Sequence, residues 1–181
     1  VYGGLSRYPI DLINHFTNEI EPILPNILSD NVYLAQVGWK HHSIIKKNHA
    51  PWKYNIYKVF NILQSIGYLQ FKDFDVFHPL FCRPYFIGYT NKPVVLTMHD
   101  LNFDKFPDML PNSETVIRRE RAVCNRADAI IAISNETKLD LIKYHNIDES
   151  KIKAEFKNGI LKVELPKSEV EVQQVKQIPI K

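Results

Sequence analysis

The chain has 181 residues, 45% hydrophobic and 24% charged, with a net charge of +3. That balance belongs to a soluble globular protein with room for one ordinary domain of ~150 residues and a short appendage. It excludes global disorder, and the small charge excess does not by itself argue for nucleic acid, which is not expected as a partner. Cys82 and Cys124 stand far apart with no CxxC pair and no Cys/His ligand spacing, so a disulfide framework and a zinc site are not expected. No apolar run reaches the ~20 residues of a transmembrane helix, and Val1 opens no signal-like region. The setting these features imply is reducing and cytoplasmic.

The chain opens on Gly3-Gly4-Leu5-Ser6-Arg7-Tyr8, after which Leu12, Ile13, Phe16 and Ile20 recur at helical spacing. A glycine loop followed by a helix is expected, with Pro9 accommodated in the first turn. Asn31 to Val37 reads as a short strand. Between Asn31 and Lys72 there is no Asp or Glu, while Lys40, Lys46, Lys47, Lys53, Lys58 and Lys72 gather beside His41, His42, His49 and several aromatic residues. Such a surface suits anionic lipid headgroups or single strands, and equally a solvated loop and helix face. Ile56, Val59, Phe60, Leu63 and Ile66 share one helical face, with Gly67 near its end.

Asp75 to Phe81 and Pro93 to Met98 are apolar runs of the kind buried on both faces of a parallel sheet. Thr115 to Arg126 predicts a helix with Val116 and Val123 inward and Arg118, Arg119 and Arg121 exposed. Asp128 to Ile133 is another buried strand, and Ser134 or Asn135 can cap a helix running to about His145. Strands alternating with helices predict an α/β fold, a Rossmann-like parallel sheet with helices on both faces. Ligands in such sheets bind beyond the carboxyl ends of the strands. That rule selects His78, His99, Asp100 and Ser134, together with Gly3 and Gly4 at a helix start.

From about Ile152 the pattern changes to alternation. Ile152, Ala154 and Phe156, a turn at Lys157-Asn158-Gly159 and a run from Ile160 to Leu165 predict a β-hairpin, followed by an extended polar tail ending Ile178-Pro179-Ile180-Lys181.

Two features carry chemistry. The Gly3-Gly4 pair lets backbone amides approach a phosphate at the positive end of a helix, although two glycines also serve as a plain tight turn. His99, placed after Val94-Val95-Leu96-Thr97-Met98, is either a donor to a sugar hydroxyl or phosphate, with Asp100 fixing its tautomer, or a satisfied histidine at a strand end.

Several strings occur together in a telling order. They are Val1-Tyr2-Gly3-Gly4-Leu5-Ser6-Arg7-Tyr8, Phe74-Asp75-Val76-Phe77-His78-Pro79, Lys92-Pro93 through His99-Asp100-Leu101, Phe106-Pro107, Ala127-Asp128 through Ile133-Ser134, and Lys151-Ile152. As a set they resemble the N-terminal domain of family-4 glycosyltransferases of the GT-B fold, over residues 1–152. The resemblance implies retaining transfer of a sugar from a nucleotide-sugar donor to a glycan, lipid-linked or small-molecule acceptor, with no metal or other cofactor required. It gives Gly3 and Gly4 to the donor phosphates, His99 to the transferred sugar as the catalytic residue, and Arg7, His78, Asp100 and Ser134 to substrate binding at the cleft. A lipid-linked acceptor would place the protein at the inner face of the membrane as a peripheral protein.

That family has a strand before its glycine loop and a second, nucleotide-binding domain, and this chain shows neither. The expectation is an incomplete N-terminal half, inactive alone. Residues 153–181, with Ala154-Glu155-Phe156-Lys157-Asn158-Gly159-Ile160-Leu161-Lys162-Val163-Glu164-Leu165-Pro166, resemble the end of a small heat-shock (α-crystallin) domain. Ile178 and Ile180 match its C-terminal I-x-I anchor. This resemblance implies a tail that docks on an α-crystallin-type subunit, in a chain best explained as an accidental fusion.

Overall fold

A computed structural model describes residues 4–25, 28–29, 31–39, 51–152, 154–157 and 160–163. The chain forms two compact units. The first comprises residues 1–75 and 84–92, and the second residues 76–83 and 93–181.

In the first unit, α1 spans Gly4–Asn14 and α2 spans Pro51–Phe71. Pro9 lies inside α1 rather than in its first turn. The helix forms anyway because a proline removes one backbone donor and fixes φ at a helical value, and both Pro9 and Ile10 are buried. The expected strand at Asn31 to Val37 is instead a 3-10 turn over Leu34–Val37, ending on Gly38 at a φ of 66°. Its start is set by Asn31, whose side-chain oxygen accepts from the Tyr33 amide at 3.0 Å and whose amide donates to the Ser6 carbonyl at 2.8 Å. Side-chain hydrogen bonds of this kind compete with ladder formation.

Helix α2 runs through Gly67 to Phe71, beyond the predicted end. Its polar edge faces the unit: Ser65 is buried, and Asn61 donates to the Leu28 carbonyl at 2.9 Å. Its apolar stripe of Ile56, Val59, Phe60 and Leu63 is exposed. No helix among the described residues is long and apolar enough to cross a membrane.

The second unit holds the parallel sheet. Strands β1 (Val95–Met98) and β2 (Ala129–Ala132) pair in parallel, with Leu96 opposite Ile130. Single parallel bridges join Phe77 to Val94 and Ile130 to Ile152. The Asp75 to Phe81 run thus contributes one bridge rather than a full strand. Every residue of β1 and β2 is buried, which is why their sequences carry no polar alternation. Register is set at Asp128, whose carboxylate accepts from the Val94 amide at 2.8 Å and whose own amide donates to the Val94 carbonyl at 2.8 Å.

Three helices complete this unit: α3 (Asn102–Lys105), α4 (Ser113–Arg126) and α5 (Asn135–His145). Val123 and Cys124 are buried on α4, while Arg118, Arg119 and Arg121 are exposed as their spacing predicts. Ser134 caps α5, accepting from the Thr137 amide at 3.1 Å. The helix ends where Asn146 turns left-handed at φ 53°. Beyond it, β3 (Ala154–Lys157) and β4 (Ile160–Val163) form the predicted antiparallel hairpin. The mixed α/β architecture with a small parallel sheet is the one read from the sequence.

Candidate functional site at the carboxyl ends of the strands

The parallel strands all run toward one edge, and the residues that leave it form a connected cluster. His78 follows the Phe77 bridge, His99 and Asp100 follow β1, and Ser134 follows β2. His78 Nε2 lies 3.0 Å from the Thr97 hydroxyl. Thr97 is the single polar residue in the buried run of β1, and this contact accounts for it.

On the other side, the Ser134 and Thr137 hydroxyls are 3.0 Å apart, and Thr137 donates to the His99 carbonyl at 3.4 Å. Thr137 thereby joins the cap of α5 to the end of β1. Asp100 accepts from the Asn102 amide at 3.0 Å, so its carboxylate shapes the turn into α3.

Burial pushes the His78 imidazole down to about 4, and the neighbouring His99 adds to this. His99 is also lowered by burial, with the Asp100 charge opposing. Near neutral pH the edge therefore carries uncharged imidazoles. A neutral imidazole has one N–H and one lone pair, and it can donate to a sugar hydroxyl or phosphoryl oxygen while its other nitrogen stays oriented.

The remaining predicted residues are placed separately. Gly4 and Arg7 belong to the first unit. Gly4 is the first residue of α1, and a Cβ there would meet nothing within 4 Å, so that position does not require glycine for space. Arg7 pairs with Asp11 one turn along at 3.0 Å, both side chains largely exposed. Gly3, Ile178 and Ile180 lie outside the described residues.

Two residues of the cluster, Thr97 and Thr137, escaped the reading of the sequence. Each had a signal: Thr97 interrupts an apolar strand, and Thr137 stands three positions after the cap Ser134, where a side chain faces back to it.

The family model described as Glycosyltransferase Family 4 matches residues 2–154, taking in α1, both parallel strands and the whole strand-end cluster. The chain belongs to glycosyltransferase family 4. A second model, the Hsp20/alpha crystallin family, matches residues 133–181 and overlaps the first from α5 to the start of the hairpin. No curated protein matches the chain. Family-4 membership accounts for the order of the motifs and supports a glycosyltransferase-type function for the chain. The Hsp20 match covers the hairpin and tail.

Proposed function

We propose that this chain carries the acceptor-side domain of a retaining, GT-B-type glycosyltransferase, transferring a sugar from a nucleotide-activated donor to a glycan or lipid-linked acceptor. The observation that carries this is the convergence of His78, His99, Asp100 and Ser134 at the carboxyl edge of the parallel strands in a chain of family 4. His99 serves as the group that touches the transferred sugar. Thr97 and Thr137 position the two sides of the edge, through His78 and through the His99 carbonyl. The family resemblance assigns Gly3 and Gly4 to the donor diphosphate and Arg7 to substrate binding. Departure of a charged nucleotide builds up negative charge, which preorganised amides and cations stabilise without a metal.

The acid-free stretch from Asn31 to Lys72 and the exposed apolar stripe of α2 support a lipid-linked acceptor and peripheral attachment at an anionic, cytoplasmic membrane face. The test is a fusion of the chain to a family-4 nucleotide-binding domain, assayed for transfer from a panel of nucleotide sugars to lipid-linked and glycan acceptors. Transfer that His99→Ala abolishes is the expected result. A folded fusion that transfers nothing overturns the reading, and activity retained in His99→Ala removes His99 from it.

The Hsp20 match and the hairpin β3–β4 favour a second reading, in which the tail lends a strand to an α-crystallin-type subunit. Capture of an α-crystallin domain by the chain, weakened by Ile178→Ala with Ile180→Ala, is then expected, and no detectable capture sinks it.

A further inference from the structure

Behind the strand edge, helices α3, α4 and α5 bring three ligand-type side chains to one point. One candidate ligand atom from each of Asp104, Glu120 and His145 lies within 4.8 Å of the other two. His145 Nε2 is 3.0 Å from Asp104 Oδ2, in a pair whose side chains are 0% and 4% exposed. The His145–Asp104 pair is therefore interior, and Glu120 is half-buried beside it.

The cluster's polar atoms are also incompletely satisfied. His145 Nδ1 and Glu120 Oε2 are buried with no hydrogen-bond partner. Buried polar atoms are nearly always paired, so two orphans in one three-residue cluster call for a missing partner. Among the described residues no basic side chain pairs with Glu120.

We propose that Asp104, Glu120 and His145 bind a divalent transition-metal cation of the Zn2+ class, in a structural site separate from the sugar-transfer edge. Ligand atoms that share an ion at about 2.0–2.2 Å lie roughly 3–4 Å apart, and side-chain rotation closes the present spacing to that. One imidazole nitrogen and two carboxylate oxygens form a donor set suited to zinc or manganese. Cys124, on α4 one turn beyond Glu120, and Cys82 both feel the charge of Glu120. Neither cysteine belongs to the group of ligand atoms within 4.8 Å, so the donor set is nitrogen and oxygen. The ion ties the short α3, which follows directly from His99 and Asp100, to α4 and to the last residue of α5. It fixes the turn on which the strand-edge cluster rests.

The test is a titration of chelator-stripped full chain with Co2+, read by its visible absorption bands, and then with Zn2+ in competition. One saturable equivalent is expected, with affinity at least about tenfold weaker in Glu120→Gln and in His145→Gln, at or beyond the range for losing a supporting residue. Folding of each variant is checked by far-UV circular dichroism. A further measurement needs no variant: the His145 ring nitrogens, followed by NMR in the wild-type chain, must shift when Zn2+ is added. The proposal is overturned by a folded wild-type chain that binds no ion, by folded variants of unchanged affinity, which place the ion elsewhere, or by a His145 ring that Zn2+ leaves unmoved.

Discussion

His78 makes the stability of the second unit depend on pH in a direction that can be worked out in advance. Its imidazole is held by the Thr97 hydroxyl in a buried setting that takes its pKa from 6.5 down to about 4. Between those values the unfolded chain binds a proton that the folded chain refuses, so stability rises with pH across that window. The stability is complete above pH 6.5 and drains away as pH falls toward 4. The full difference is about 3 kcal/mol, of which roughly 2 kcal/mol is lost by pH 5. His78→Gln keeps a hydrogen-bonding group near Thr97 and has nothing to titrate. Urea unfolding of both proteins from pH 7 to pH 4, with the difference in unfolding free energy plotted against pH, reads the His78 contribution together with its coupling to His99. The variant is expected to gain on the wild type by roughly 2 kcal/mol between pH 7 and pH 5. A difference that stays flat over that range refutes the argument, as does an NMR titration of His78 centred near 6.5.

Three other outcomes are expected. Leu96, fully buried in β1 opposite Ile130, costs about 2–5 kcal/mol on truncation in Leu96→Ala, which urea unfolding measures. Ser134→Ala removes the acceptor for the Thr137 amide and lowers stability by about 1 kcal/mol. Because the same hydroxyl holds Thr137 beside the His99 carbonyl, His99 backbone NMR shifts should move in that variant and stay unchanged in an exposed control such as Arg118→Ala. Burial pushes Cys82 up to about 12 and Cys124 higher still. Both thiols should therefore resist a thiolate-specific reagent at pH 8 in the folded chain and react fast in urea, a difference that a simple absorbance assay of labelling rates reads.

The sheet was legible because its signal is local. Val94 to Met98, but for Thr97, and Ala129 to Ala132 are apolar without alternation, which only a strand covered on both faces tolerates, and the helices between them force a parallel crossover. The cap at Ser134 and the hairpin after Ile152 were equally local. At Asn31 to Val37 the composition favoured a strand, but a strand needs a partner, and the Asn31 side chain supplied a turn in its place. On α2 the periodicity gave the helix and the residues that share its apolar face, but not which face turns inward. Spacing shows which residues share a face, whereas Asn61 and Ser65 decide which face docks.

The sequence by itself determined the family, the parallel α/β class and the residues that emerge at the carboxyl ends of the strands, since each of these follows from short-range patterning of burial and turn chemistry. Only the tertiary structure decided what stands behind that edge. Thr97 reaches back nineteen positions to His78, and Asp104, Glu120 and His145 meet from three helices with no spacing that announces a ligand set. Contacts between elements far apart in the chain depend on how the helices pack over the sheet, and packing leaves no periodic trace in any one segment.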